Sequence, residues 1–195
     1  MNRRRFFKNA GVGSAALASL PILTDTLARP ARADDDNGLG FRFVCVSKAA
    51  IVGGVDHRMI MNGSGKFNGS EAEGGGTYDH FDNASVVPKT ILGAGGWKAG
   101  RLLGFSLVGT YGVLAAGILE MEVKLLQEFP SRVVIPATLK VVCSIGVAGL
   151  DAGEEGFTLT IPGIPFGPFE PFSVVPGFPF TFGITNFTTS KREGD

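Results

Sequence analysis

The sequence predicts an all-β protein, a single antiparallel barrel or sandwich with glycine-rich turns and one extended proline/phenylalanine arm. Three observations predict it. Short runs alternate apolar and polar residues with a period of two. Glycine-rich segments separate most of those runs. After residue 33, no amphipathic stretch of three or more helical turns is found. Many short strands with glycine turns suit a sandwich and a closed barrel equally.

In residues 41–47 the odd positions Phe41, Phe43 and Cys45 face a core and Arg42 faces out. His57, Met59 and Met61 share one face of the next run. Residues 63–76 carry six glycines and few apolar side chains, and read as a hairpin loop or short edge strands. Tyr78, His80 and Asp82 share a face if their segment is extended. Trp97, the only tryptophan, reads as a core or barrel-end plug before it reads as a ligand-stacking platform. Leu103, Phe105 and Leu107 share a face, as do Leu119, Met121, Val123 and Leu125 opposite Glu120, Glu122 and Lys124. Residues 102–119 hold no charge, enough in length to be weighed as a membrane helix. Four glycines interrupt them, and Gly109-Thr110-Tyr111-Gly112 reads as a turn between two strands, so no stable membrane span is expected. The odd positions of residues 139–145 face inward, Phe157, Leu159 and Ile161 alternate with threonines, and Phe180, Phe182 and Ile184 form a last inward set.

The arm spans residues 162–179. Pro-Phe-x occurs three times in succession, placing Phe166, Phe169 and Phe172 at a spacing of three. Polyproline II has three residues per turn, so like residues would line one edge. Such an arm either folds over its own domain or leaves the phenylalanines as a docking face for a partner chain or a lid on an apolar cavity. Leaving a Phe in water forgoes roughly 1.5–3 kcal/mol, which favours self-packing.

The first eight residues are of another kind. Arg3 and Arg4, a spacer Arg5, the apolar pair Phe6 and Phe7, and Lys8 resemble the leader of twin-arginine translocation substrates. A mildly apolar stretch follows, and Ala31-Arg32-Ala33 supplies a small-x-small cleavage site between Ala33 and Asp34. The resemblance implies a signal peptide at 1–33, passage through the twin-arginine translocase as a folded protein, and an exported location, periplasmic or extracellular. Residues 34–190 then form one β-domain and 191–195 a frayed charged tail. The chain is formally neutral, with 18 basic and 18 acidic residues. Removing the leader takes six basic residues and one acidic one, leaving 12 and 17, a net of −5. No basic stretch remains, so nucleic-acid binding has no electrostatic support.

Two cysteines, Cys45 and Cys143, both fall on inward positions. A disulfide closing a loop of about 98 residues would contribute roughly 4–5 kcal/mol in the chain-entropy model. Two buried free thiols are the alternative, and folding in a reducing cytoplasm favours it. Tyr78, His80 and Asp82 could supply acid–base chemistry, with Asp82 fixing the histidine tautomer. A strand-edge His–Asp hydrogen bond is the plainer outcome. His57 and His80 are the only histidines and show no metal-ligand spacing within one element, so no metal or other cofactor is expected. No serine-nucleophile elbow, zinc-protease, phosphate-loop or haem-attachment motif occurs. Asn62, Asn68, Asn83 and Asn186 each open an N-glycosylation triplet, which matters only in a source that glycosylates.

The glycine triplet with Tyr78-x-His80-Phe81, followed by Gly96-Trp97-Lys98-Ala99-x-Arg101-Leu102, resembles uncharacterised exported prokaryotic β-proteins over residues 63–108. The architecture is similar to the eight-stranded barrels of the dirigent and allene oxide cyclase group. Neither resemblance carries a catalytic residue over. Two functions are expected: a non-catalytic exported domain binding an apolar small molecule or a partner chain, with Phe166, Phe169, Phe172 and Trp97 as binding residues; or a small cofactor-free isomerase or cyclase using Tyr78, His80 and Asp82 in a barrel mouth.

Overall fold

A computed structural model describes residues 38–173 and 181–189. The leader motif, its cleavage site and the charged tail lie outside the described residues. The fold is all-β. Its strands are β1 (Leu39–Lys48), β2 (His57–Asn68), β3 (Glu71–Asp82), β4 (Thr90–Tyr111), β5 (Leu114–Phe129), β6 (Val133–Cys143), β7 (Gly156–Thr160) and β8 (Gly183–Thr188). A helical turn, α1 (Gly146–Gly149), and a 3-10 turn, Leu150–Ala152, link β6 to β7.

All eight strands form one antiparallel sheet in the order β4-β3-β2-β1-β8-β5-β6-β7, and β4 also pairs with β5. That extra pairing closes the sheet on itself as a barrel. Strand β5 holds the closure, with β4 along one edge, β6 along residues 117–127 of the other, and β8 at Leu114 and Ala115. Two pieces complete the free edge of β1. Strand β8 pairs with residues 40–45, and Glu170 of the arm bridges to Lys48. Its neighbour Phe169 exchanges both backbone hydrogen bonds with Leu159 of β7, at 2.9 and 3.0 Å. The arm is therefore a piece of wall between β7 and β1.

Alternation decides which residues fill the interior. Phe41, Phe43, Met59, Met61, Leu119, Met121, Leu139, Val141, Phe157 and Leu159 are all buried at the expected positions. Trp97 is 2% exposed and plugs the interior, donating from Nε1 to the Asn62 carbonyl at 2.8 Å. Its ring lies so close over β2 that a Cβ on Gly63 would meet it at 2.1 Å. This explains a departure from expectation. Residues 63–76 form no loop; they continue β2 and β3 around a tight Gly69-Ser70 turn. Gly63 and Gly65 let the Trp97 and Phe41 rings approach the backbone, while Gly74, Gly75 and Gly76 lie against backbone atoms of the neighbouring strands.

Other departures have equally local causes. In β4 the register with β5 shifts between Ala99 and Leu102 and again before Gly104. Each bulge resets the parity. Leu102 and Phe105 therefore pack on the core while Leu103 faces out; Leu107, opposite Gly117, keeps the face of Phe105 but is 40% exposed. The hairpin turn falls at Gly112-Val113, with Gly112 at φ 66°, as a two-residue turn requires. Residues 102–119 are thus strand, turn and strand, and among the described residues no helix is long and apolar enough to cross a membrane. In β8 the inward residues are Thr185 and Phe187, whereas Ile184 is 66% exposed and Phe182 49%. Register explains this: Thr185 and Phe187 lie opposite the inward Phe43 and Phe41, and opposed residues share a face. Phe180 lies outside the described residues.

No disulfide joins Cys45 to Cys143; both are buried free thiols. Strand β8 stands between them. Cys45 Sγ points to the Ile184 carbonyl at 3.7 Å and Cys143 Sγ to the Thr185 carbonyl at 3.3 Å. Two strand spacings amount to roughly 9–10 Å, beyond the Cα separation of about 7 Å that a disulfide tolerates. Burial, and secondly the Glu155 carboxylate, push the Cys45 thiol up to about 12.

Candidate functional site

One end of the barrel keeps a cavity of about 220 Å³. Each wall strand contributes through the residue that alternation turns inward there: Met59 from β2, Tyr78 and His80 from β3, Gly93 from β4, Leu125 and Gln127 from β5, Ile135 from β6. The arm supplies the rest, with Ile164, Phe166 and Phe169 among the lining residues. The sequence brought Tyr78, His80, Phe166 and Phe169 forward, and they meet here. It missed Gln127 and Gly93. The parity of Leu125 carries on to Gln127, but strands alone do not reveal which end of a barrel stays open.

The two histidines meet because β2 pairs with β3 in a register that sets His57 opposite Asp82 and Met59 opposite His80. His57 Nδ1 and His80 Nε2 lie 2.9 Å apart, so one donates and the other accepts. Phe166 stacks on His57 with centroids 4.0 Å apart, and Phe169 meets His80 edge-on at 5.2 Å. Burial, and secondly the neighbouring His57, hold His80 down at about 4. Burial also lowers His57, against the pull of the Asp82 and Asp56 carboxylates. Both rings are accordingly uncharged at neutral pH.

Asp82 does other work than expected. Its Oδ1 accepts from the Asp56 and Ala84 amides at 3.0 and 2.9 Å, closing the turn after β3. The hydrogen-bond partner of His80 is His57, and the Tyr78/His80/Asp82 set does not form a relay. Among the described residues, no three His, Cys, Asp or Glu side chains come together as a metal-binding group.

Tyr78 carries an unsatisfied polar atom. It is 4% exposed, and among the described residues its hydroxyl has no hydrogen-bond partner. Burial raises its pKa to about 12, so it keeps its proton. A buried hydroxyl left unpaired costs about 1–3 kcal/mol, and such exceptions call for an explanation. No Lys, Arg, Asp or Glu lines the cavity among the described residues.

The remaining candidates lie elsewhere. Trp97 sits in the core, between the Phe41 and Phe43 rings at 6.4 and 5.9 Å. Phe172 lies outside the mouth, against Phe182 and under Arg58, whose guanidinium carbon is 4.3 Å from the ring centroid. The arm is not a continuous threefold spiral. Turns at Pro162-Gly163 and Pro165-Phe166, with Gly163 and Gly167 at φ 82° and 75°, fold it back on the barrel. Phe169 is buried, Phe166 and Phe172 half-buried, and no docking row of phenylalanines results. Comparison with family models, curated proteins and solved structures finds no match to this chain.

Proposed function

We propose that this protein is a non-catalytic binding domain that holds a small apolar molecule in the mouth of its barrel. The observation that carries the reading is the mouth itself. It is a cavity of about 220 Å³ with mainly apolar walls and three uncharged polar groups, Tyr78, His80 and Gln127. Concave, mostly apolar sites with few convergent polar groups are the usual form of small-molecule pockets. An engineered apolar cavity of roughly 150 Å³ holds benzene, so the mouth suits a ring with a short substituent. Export from the cytoplasm, as the leader motif implies, would place the domain where it meets such molecules outside the cell.

Less supports the isomerase or cyclase reading. A base whose conjugate acid titrates near 4 is weak at neutral pH, and Asp82 is engaged elsewhere. The partner-chain reading has less support because the described part of the arm, residues 162–173, packs on its own barrel.

Titration calorimetry with α-methylstyrene tests the proposal. Gly93 lines the mouth, and the atoms nearest to a Cβ there are the flexible Gln127 amide and the Phe129 carbonyl, at 3.3 and 3.7 Å. Gly93→Leu should therefore plug the cavity without breaking β4. Binding to the wild type and at least a tenfold loss in the variant, with unchanged circular dichroism, are expected. Equal affinity for both proteins, or none for either, would overturn the reading.

A further inference from the structure

We infer that the mouth selects compact lipophiles bearing one uncharged carbonyl, a ketone, aldehyde or ester whose oxygen accepts a hydrogen bond from Tyr78. The inference rests on the mouth being a binding pocket, and adds to it the chemistry of the occupant.

Three observations converge on it. The Tyr78 hydroxyl is buried and, among the described residues, unpartnered. In an apolar wall such a group is a cost that a ligand with a matching polar atom removes. Its proton is firmly held, and a phenol donates better than it accepts, because its lone pair is delocalised into the ring. The matching atom is therefore an acceptor. The second observation is the His57–His80 pair. Each ring spends one nitrogen on the other across 2.9 Å, beneath the stacked Phe166. Neither carries charge at neutral pH, so the pair offers no counter-ion to an anion. The third is the lining itself, which holds no charged side chain among the described residues. A carboxylate entering it would lose its hydration with nothing in exchange.

Discrimination of this kind is large when a site is built around one hydrogen bond, since the wrong ligand leaves a buried group unpaired. Gln127 is the other polar residue at the mouth; its Nε2 already donates to the Ser131 carbonyl at 3.2 Å. Tyr78 is the polar group of the lining whose donor has, among the described residues, no partner at all.

Three probes of nearly one shape test the inference: acetophenone, α-methylstyrene, in which a methylene replaces the carbonyl oxygen, and benzoate. Calorimetric titrations at pH 7.5 compare the wild type with Tyr78→Phe. The expected result is a loss of about tenfold in acetophenone affinity in the variant, with α-methylstyrene unchanged or tighter. Benzoate should bind the wild type at least tenfold more weakly than acetophenone. An infrared measurement needs no variant: the carbonyl stretch of isotopically labelled acetophenone bound to the wild type should fall below its frequency in hydrocarbon solvent. If both neutral probes bind but their affinity ratio is the same in Tyr78→Phe and the stretch does not move, the carbonyl assignment is wrong and the apolar pocket stands. Benzoate binding as well as acetophenone would also refute the assignment. If no probe binds, the pocket reading fails and takes the inference with it.

Discussion

At the scale of single residues, the account turns on two groups that would be unusual as mere core. Tyr78→Phe removes an unpaired buried hydroxyl and leaves the ring. The ligand-free variant should be as stable as the wild type or up to about 2 kcal/mol more stable in urea denaturation. A clear destabilisation would show that the hydroxyl has a partner in solution. His80 gives a pH prediction. A histidine of the unfolded chain titrates near 6.5, while His80 in the fold titrates at about 4. Between these values the unfolded chain holds more protons, so the contribution of His80 is complete above about pH 6.5 and is lost as the pH falls towards 4. His57 acts in the same direction. Unfolding free energies measured from pH 8 to 4 should fall more steeply in the wild type than in His80→Gln; parallel curves would contradict the neutral, buried pair. The shared face of Tyr78 and His80 was legible from alternation. The His57–His80 bond was not, because it depends on which strands pair and in which register. Asp82 misled for the same reason: its parity was right, but the turn amides lay nearer than the imidazole.

At the scale of elements, alternation read β1, β5, β6 and β7 well because each is regular and keeps one face inward from end to end. It failed where something resets the count. The bulges of β4 do so within one strand. In β8 the apolar Ile184 faces solvent, because pairing with β1 turns Thr185 and Phe187 inward. Glycine was the other trap. At Gly63 and Gly65 it signals rings crossing close to the strand rather than a loop. Gly63→Ala should therefore destabilise the protein by about 1–3 kcal/mol through the clash with Trp97. Urea denaturation checks this, and a neutral outcome would mean the tryptophan does not rest on β2. The arm was legible as a break in strand pattern, and its wall-building role was not. Hydrogen exchange should find the Phe169 and Glu170 amides protected with those of β1 and β7, since each donates to a neighbouring strand. Rapid exchange at both would detach the arm from the barrel.

At the scale of the whole molecule, one sheet closes on itself and buries a core rich in aromatic and methionine side chains, with a cavity at the mouth. Fold class followed from the sequence; closure did not, because barrel and sandwich share one periodicity. The same topology keeps the cysteines apart on either side of β8. Thiol titration of denatured, unreduced protein should count two free thiols, and melting should be indifferent to dithiothreitol; an oxidised product with no free thiol would contradict the strand order. The central claim, that the mouth is where this protein meets its ligand, is tested most directly by methyl NMR during titration with acetophenone. The account predicts that shifts concentrate on Met59, Leu125, Ile135 and Ile161 around the mouth. Shifts confined to the outward methyls of Val44, Ile60 and Ile184, or no shifts at all, would contradict it.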